Sequence, residues 1–176
     1  MERPPSPVAT VVAGRVVVDR MLRADWPRVA EVYAEGIATG NATFETEVPT
    51  WARWDALHLD EPRLVARIDD RIQGWTAVRP VSDREVYRGR VECSLYIAAE
   101  ARGQGVGEAL MQELAARADA AGLWTLEAIV FPENRASVRM LEASGFRVVG
   151  RRERLARLHG AWRDVLLLER RSPLVA

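Results

Sequence analysis

Three glycines alternate within six residues in Arg102-Gly103-Gln104-Gly105-Val106-Gly107, and no other stretch constrains the fold as much. A strand-like run (91–98) precedes them and a helical pattern (108–121) follows. A glycine-rich turn feeding a helix N-terminus leaves several backbone N–H groups without helical partners. The helix dipole adds partial positive charge at the same spot, which suits a phosphate or pyrophosphate. Glycine keeps side chains out of the anion's way and permits φ > 0.

The sequence narrows the kind of phosphate ligand. A Walker A loop requires Gly-Lys-Ser/Thr, but all 25 basic residues of this chain are arginine. A P-loop lysine and a lysine Schiff base with pyridoxal phosphate are both excluded. A dinucleotide fingerprint requires G-x-G-x-x-G, and its last position holds Glu108. What fits is Arg/Gln-x-x-Gly-x-Gly, read as Arg102, Gly105 and Gly107. A plain glycine-rich turn would fit these three positions equally well, so the rest of the chain decides.

A length of 176 residues suggests one domain with a real core. Formal net charge is zero, so no field favours nucleic acid or an anionic membrane. The single cysteine, Cys93, excludes an internal disulfide framework and a cysteine zinc cluster. His58 and His159 lie far apart, offer no metal-ligand spacing and make no convincing catalytic dyad. No metal is expected. No apolar run reaches the ~18–20 residues of a membrane span. Residues 1–14, with Pro4, Pro5 and Pro7, read as a flexible tail, too interrupted for a signal-peptide core. Residues 15–171 read as one domain, cytoplasmic by default.

Val16-Val17-Val18 begins the regular structure as a strand. Asp25 is placed to cap a helix carrying Val29, Val32, Tyr33 and Ile37, ended by Gly40-Asn41. Thr50 caps a second helix with Trp51, Trp54 and Leu57. Residues 64–66 and 72–78 read as a hairpin turning at Asp69-Asp70-Arg71. On the strand before the glycines, Val91, Cys93, Leu95 and Ile97 share one face, and Glu92, Ser94 and Tyr96 the other. Cys93 and Trp75 read first as core. After the glycine-led helix come a strand (124–131), a helix opened at Pro132-Glu133-Asn134 and closed at Gly145, and strands at Val148-Val149 and 165–168. The arginine-dense stretch 151–157 reads as a solvated strand face. Helices therefore surround one sheet in a mixed α/β fold.

This order, the glycine loop, and Asn134-x-x-Ser137 followed by Gly145-Phe146 together resemble the GCN5-related N-acetyltransferase (GNAT) family. Within it the chain is similar to the phosphinothricin and methionine sulfoximine acetyltransferase branch. The residues carrying that likeness are 40–45 (Gly-Asn-Ala-Thr-Phe-Glu), Tyr87-Arg88, Val91-Glu92, 94–97 (Ser-Leu-Tyr-Ile) and 160–164 (Gly-Ala-Trp-Arg-Asp). The resemblance implies a mostly antiparallel seven-stranded sheet with about four helices, acetyl-CoA as cosubstrate, a small amine acceptor and a homodimer. It implies that Glu92 is the general base. Backbone at Leu95, Tyr96 and Ile97 would hold pantetheine, and Arg102, Gly103, Gln104, Gly105, Val106, Gly107 and Glu108 the pyrophosphate. Asn134 and Ser137 would meet the cofactor arm. Phe44, Ser82, Arg84, Tyr87, Glu92 and Ser94 would line the acceptor site.

The chemistry is coherent on its own terms. Attack on a thioester needs a neutral amine, so a base must take a proton. A carboxylate partly buried on a strand has a raised pKa and can do so. Two positions depart from the family. Leu141 stands where members often carry Tyr or His to protonate the leaving thiolate; a thiolate is a tolerable leaving group, which leaves a reaction without an acid, or Tyr87, Tyr96 or water in that role. Ser82 replaces a basic residue ahead of Arg84, which puts phosphinothricin itself in doubt. A peptide or protein N-acetyltransferase and a non-catalytic acyl-CoA-binding regulator remain alternatives. The polar loop 80–89 reads as a lid on a small pocket, with Arg84 gripping the acceptor's anionic group.

Overall fold

A computed structural model describes residues 10–12 and 15–175. Its centre is an eight-stranded sheet in the order β1-β2-β3-β4-β5-β6-β8-β7. The strands are β1 (Thr10–Val12), β2 (Val16–Arg20), β3 (Arg63–Ile68), β4 (Arg71–Pro80), β5 (Arg90–Ile97), β6 (Thr125–Val130), β7 (Arg147–Leu158) and β8 (Ala161–Arg171). All neighbours are antiparallel except β5 and β6. Strands β2–β8 are the seven expected. The eighth, β1, lies in the segment read as a tail and pairs with β2. The rest of that segment lies outside the described residues.

Four α-helices cover the sheet: α1 (Trp26–Ala38), α2 (Trp51–Leu57), α3 (Val106–Ala120) and α4 (Arg135–Ala143). Helix α1 buries Val29, Val32, Tyr33 and Gly36 at helical spacing. Thr50 caps α2 by accepting from Arg53 N–H. Asp25 does not cap α1 with its side chain. Its carboxylate is drawn elsewhere, to the Leu22 N–H at 2.8 Å and to Arg67 at 2.7 Å.

Local chemistry sets the turns. Asp69 and Asp70 both take positive φ between β3 and β4, as a two-residue hairpin turn with matching twist demands. His159 and Gly160 do the same between β7 and β8. That hairpin is much longer than the two apolar runs implied. Strand β7 carries the arginine-dense stretch as an exposed face, and ion pairs such as Arg151–Asp164 and Arg147–Glu169 hold it to β8. The stretch 151–157 is the solvated strand face its charges suggested, and it joins the short apolar run at Val148-Val149 into one strand.

The central feature is a split. Strands β5 and β6 pair only at Arg90↔Thr125, Val91↔Leu126 and Glu92↔Glu127. Beyond Glu92 they diverge, while β5 stays paired with β4 through Gly74↔Ile97. Ala98 N–H bonds to Gln73 C=O on the β4 side. Backbone direction alternates along a strand, so Leu95 and Ile97 turn their N–H and C=O groups to the open side.

Candidate active site

A cavity of about 960 Å³ runs through this split. One end is built by the glycine loop. Gly103 and Gly105 have φ of +75° and +80°, and a Cβ at either would meet nothing within 4 Å. Their glycines are therefore required by backbone conformation, and open space lies beside them. Val106, Gly107 and Glu108 begin α3 ahead of the bond from Ala109 N–H to Gly105 C=O, so their own N–H groups have no helical acceptor. Arg102, Gly103, Gly105, Val106, Gly107 and Glu108 all line the cavity. Gln104 is not among the lining residues; its amide turns back to the Glu100 carbonyl at 2.8 Å.

The middle is the splayed strand. Leu95, Tyr96 and Ile97 line the cavity, and a Cβ at Gly107 would sit 3.8 Å from the side chains of Leu95 and Ile97. Asn134 and Ser137 line it as well. The Asn134 side chain is already engaged, accepting from Ser137 N–H at 3.2 Å and donating to the Asn41 carbonyl at 3.2 Å. It caps α4 and ties that helix to the loop after α1. Leu141 is buried and also faces the cavity, where it can supply only apolar surface.

The other end is held between the sheet and helices α1 and α2. In the β4–β5 register, Trp75 stands opposite Tyr96, Ala77 opposite Ser94, and Arg79 opposite Glu92. Directly opposed residues point to the same face, so these six share one surface. Tyr33 of α1 packs on Trp75 and Tyr96, at 5.3 and 4.5 Å between ring centroids. Gly36 is needed there: a Cβ would come within 2.5 Å of the Tyr96 ring. Phe44 lines the cavity and packs edge-on against Phe131 at 4.9 Å. Trp75 is at once core and lining. Trp54 and Trp75 both line the cavity, and among the described residues neither buried indole N–H has a partner.

Glu92 sits at the last paired position of β5 and β6, with its side chain 18 % exposed. Its carboxylate accepts from Arg79 Nη2 at 2.7 Å. The sequence reading relied on burial to tune this carboxylate; the structure gives it a guanidinium partner. Burial acts on two other side chains of β5. It pushes the Cys93 thiol up to about 12, with the Glu92 charge adding to the effect. It also raises the Tyr96 hydroxyl, with Tyr33 adding, so Tyr96 stays protonated. His58 lines the cavity too. Its pKa is lowered to about 4, first by burial and then by Arg63 and Arg79, against the opposing bond to the Trp54 carbonyl. A carbonyl only accepts, so His58 Nδ1 is the donor in that 2.7 Å bond and Nε2 carries the lone pair.

The structure leaves the remaining expected acceptor residues outside. Ser82, Arg84 and Tyr87 are not among the residues lining the cavity, although Ser94 is. The loop carrying them continues past the Pro80↔Val91 end of the β4–β5 hairpin, and Arg84 lies over the Tyr87 ring at 5.3 Å. Arg79, Tyr33, Thr43, Arg53 and His58, which sequence reasoning did not assign, line the cavity instead. Arg79 was legible in principle, as the residue at the end of a strand beside Pro80. Arg163 organises the adjoining loop. It donates to Gly40 C=O at 3.0 Å and Asn41 Oδ1 at 3.1 Å, and its guanidinium lies 4.0 Å from the Phe131 ring centroid.

Among the described residues no group of His, Cys, Asp and Glu could hold a metal ion. No helix among them is long and apolar enough to cross a membrane.

Comparison with known proteins agrees with this geometry. Residues 23–146 match the model of the acetyltransferase (GNAT) family. The chain is 34% identical over 152 residues to a phosphinothricin N-acetyltransferase of Alcaligenes faecalis, covering 83% of this chain and 77% of that one. It is 28% identical over 162 residues to the L-methionine sulfoximine/L-methionine sulfone acetyltransferase of Pseudomonas aeruginosa, covering 83% and 88%. A GNAT superfamily phosphinothricin acetyltransferase from Sinorhizobium meliloti, solved in complex with AcCoA, superposes with a TM-score of 0.81 at 28% identity, covering 90% and 89%. A split sheet, a glycine loop ahead of α3 and these relatives lead to one assignment: the chain belongs to the GNAT family of acetyltransferases and is an acyltransferase enzyme.

Proposed function

We propose that this protein moves an acetyl group from acetyl-CoA to the amine of a small amino-acid-like acceptor, with Glu92 as the general base. The observation that carries the proposal is the position of Glu92. It stands where β5 and β6 part, on the face that α1 and α2 close over.

The residues present fit the cofactor. The open space at Gly103 and Gly105, with the unbonded first turn of α3, suits a pyrophosphate. The outward backbone of Leu95 and Ile97 gives a pantetheine arm the strand edge that β6 leaves vacant. When bound, acetyl-CoA supplies the thioester that the amine attacks.

The protein does the rest. The Arg79 ion pair is made by the ionised Glu92 carboxylate, the form that accepts a proton from the acceptor's ammonium, directly or through water. Backbone N–H groups on the open side of β5 are placed to polarise a carbonyl oxygen. Tyr96, kept protonated by burial, lines the cavity and can donate to the departing sulfur; Tyr87 lies outside it. Aromatic walls from Tyr33, Trp54 and Trp75 exclude water and limit the acceptor's size.

Release of free thiol from acetyl-CoA in the presence of L-methionine sulfone tests the reading. Glu92→Gln should lower kcat by about 10²–10⁴ at neutral pH, the usual worth of a general base, with acetyl-CoA binding retained. The deficit should shrink at high pH, where free amine is abundant. A wild-type kcat in the variant would reduce Glu92 to a structural residue.

A further inference from the structure

We infer that Arg79 and Glu92 together form a clamp for the zwitterionic head of an α-amino acid, with Arg79 taking the carboxylate. The inference rests on the acceptor reading above and assigns the specificity that the loop 80–89 was expected to supply.

The two residues are directly opposed on β4 and β5, on one face of the sheet. Both line the cavity, and their charges meet at 2.7 Å. An α-amino acid carries its ammonium and its carboxylate on one carbon, so its two charges lie at a spacing similar to that of the ion pair. Laid across the pair, its carboxylate faces the guanidinium and its ammonium faces Glu92. The nitrogen to be acetylated is then held at the base by the same contact that recognises the substrate.

Arg79 has capacity for this. Its side chain is 43% exposed, and its bond to Glu92 uses one of five N–H donors. A guanidinium can hold a carboxylate through two parallel hydrogen bonds while keeping a third partner. The other cations of the cavity are less suited. Arg102 belongs to the glycine loop, and Arg53 stands on the exposed start of α2 rather than opposite Glu92. Arg84 and Ser82 do not line the cavity at all. The indole N–H groups of Trp54 and Trp75, without partners among the described residues, leave donors for an oxygen-bearing side chain beyond the head group.

The test compares L-methionine sulfone with its α-carboxamide, which keeps the amine and loses the negative charge. Steady-state acetylation is measured for wild type, Arg79→Gln and Arg79→Lys, all with saturating acetyl-CoA. The wild type should favour the free acid by about ten- to a hundredfold in kcat/KM, the worth of a charge-assisted contact. Arg79→Gln weakens the support of Glu92, so it should slow both substrates. It should slow the acid at least tenfold more, chiefly through KM, and so abolish the preference. Arg79→Lys should restore part of it, because a point charge replaces the planar fork. An equal loss on both substrates would make Arg79 a support for Glu92 alone and overturn the inference. A wild type that ignores the carboxylate, or that acetylates neither compound, would overturn it as well. The general-base reading stands or falls separately, on kcat of Glu92→Gln with whichever acceptor is turned over.

Discussion

The two ends of the cavity are built in different ways. The end at the glycine loop comes from one contiguous stretch: β5 runs into Gly103 and Gly105, and these into the first turn of α3. Its chemistry is mostly backbone: N–H groups, positive φ and a helix dipole. The other end collects single residues from five elements or loops. Tyr33 comes from α1, Phe44 from the loop after it, His58 from the end of α2, Arg79 from β4 and Glu92 from β5. Its chemistry is side chain against side chain. A backbone site tolerates little change in its glycines but accepts many sequences around them. A side-chain site can be retuned one residue at a time, so the second end is where this chain can diverge from its relatives.

Changes at the two ends should therefore fail differently. The largest effect is expected at the glycine loop. Gly105→Val places a β-branched residue at φ +80°, a strain of about 1–3 kcal/mol, and puts methyl groups where the anion would sit. Acetyl-CoA should lose its stabilising shift in Tm, which arises by mass action on the folded state. A preserved shift would move the phosphate site elsewhere.

Next in size is a pH effect that arises at the side-chain end of the cavity. His58 titrates at about 4 when folded, below its ordinary value of 6.5. Between those values the unfolded chain holds a proton that the folded chain does not. The neutral ring's stability contribution is complete above pH ~6.5 and is lost progressively as the pH falls to ~4, by up to about 3 kcal/mol. His58→Gln should flatten this part of the profile in urea unfolding at pH 7.5 and pH 4.5. An unchanged difference between the two pH values would mean that His58 is not held neutral.

The smallest effect sharpens the contrast. Arg163→Ala removes the tie to Gly40 and Asn41. A freed loop should raise KM for the acceptor by about three- to tenfold, the worth of one modest positioning contact, with KM for acetyl-CoA unchanged. Equal changes in both constants would show that the loop serves the whole cavity.

The division between the ends also explains what the sequence revealed. Gly103 and Gly105 were readable because positive φ and an open approach can be met by almost no other residue. The Asp69-Asp70 turn and the Thr50 cap were readable for similar local reasons. Asp25 misled because a carboxylate near a helix start has other partners available, here Arg67 of β3 and the Leu22 N–H. Arg84 was read from its closeness in sequence to Glu92; it lies beyond the Pro80↔Val91 end of the hairpin and is not among the residues lining the cavity.

By itself the sequence determined the mixed α/β order, the glycine turn ahead of α3 and the strand carboxylate, since each rests on residues within one or two turns of chain. Only the tertiary structure decided that β5 and β6 part after Glu92, that Arg79 lies across from it, and that His58 sits neutral in the same cavity. Those facts depend on the pairing of β4 with β5 and on α2 closing over the sheet. Such long-range contacts bring together residues whose types, taken along the chain, carry no signal of one another.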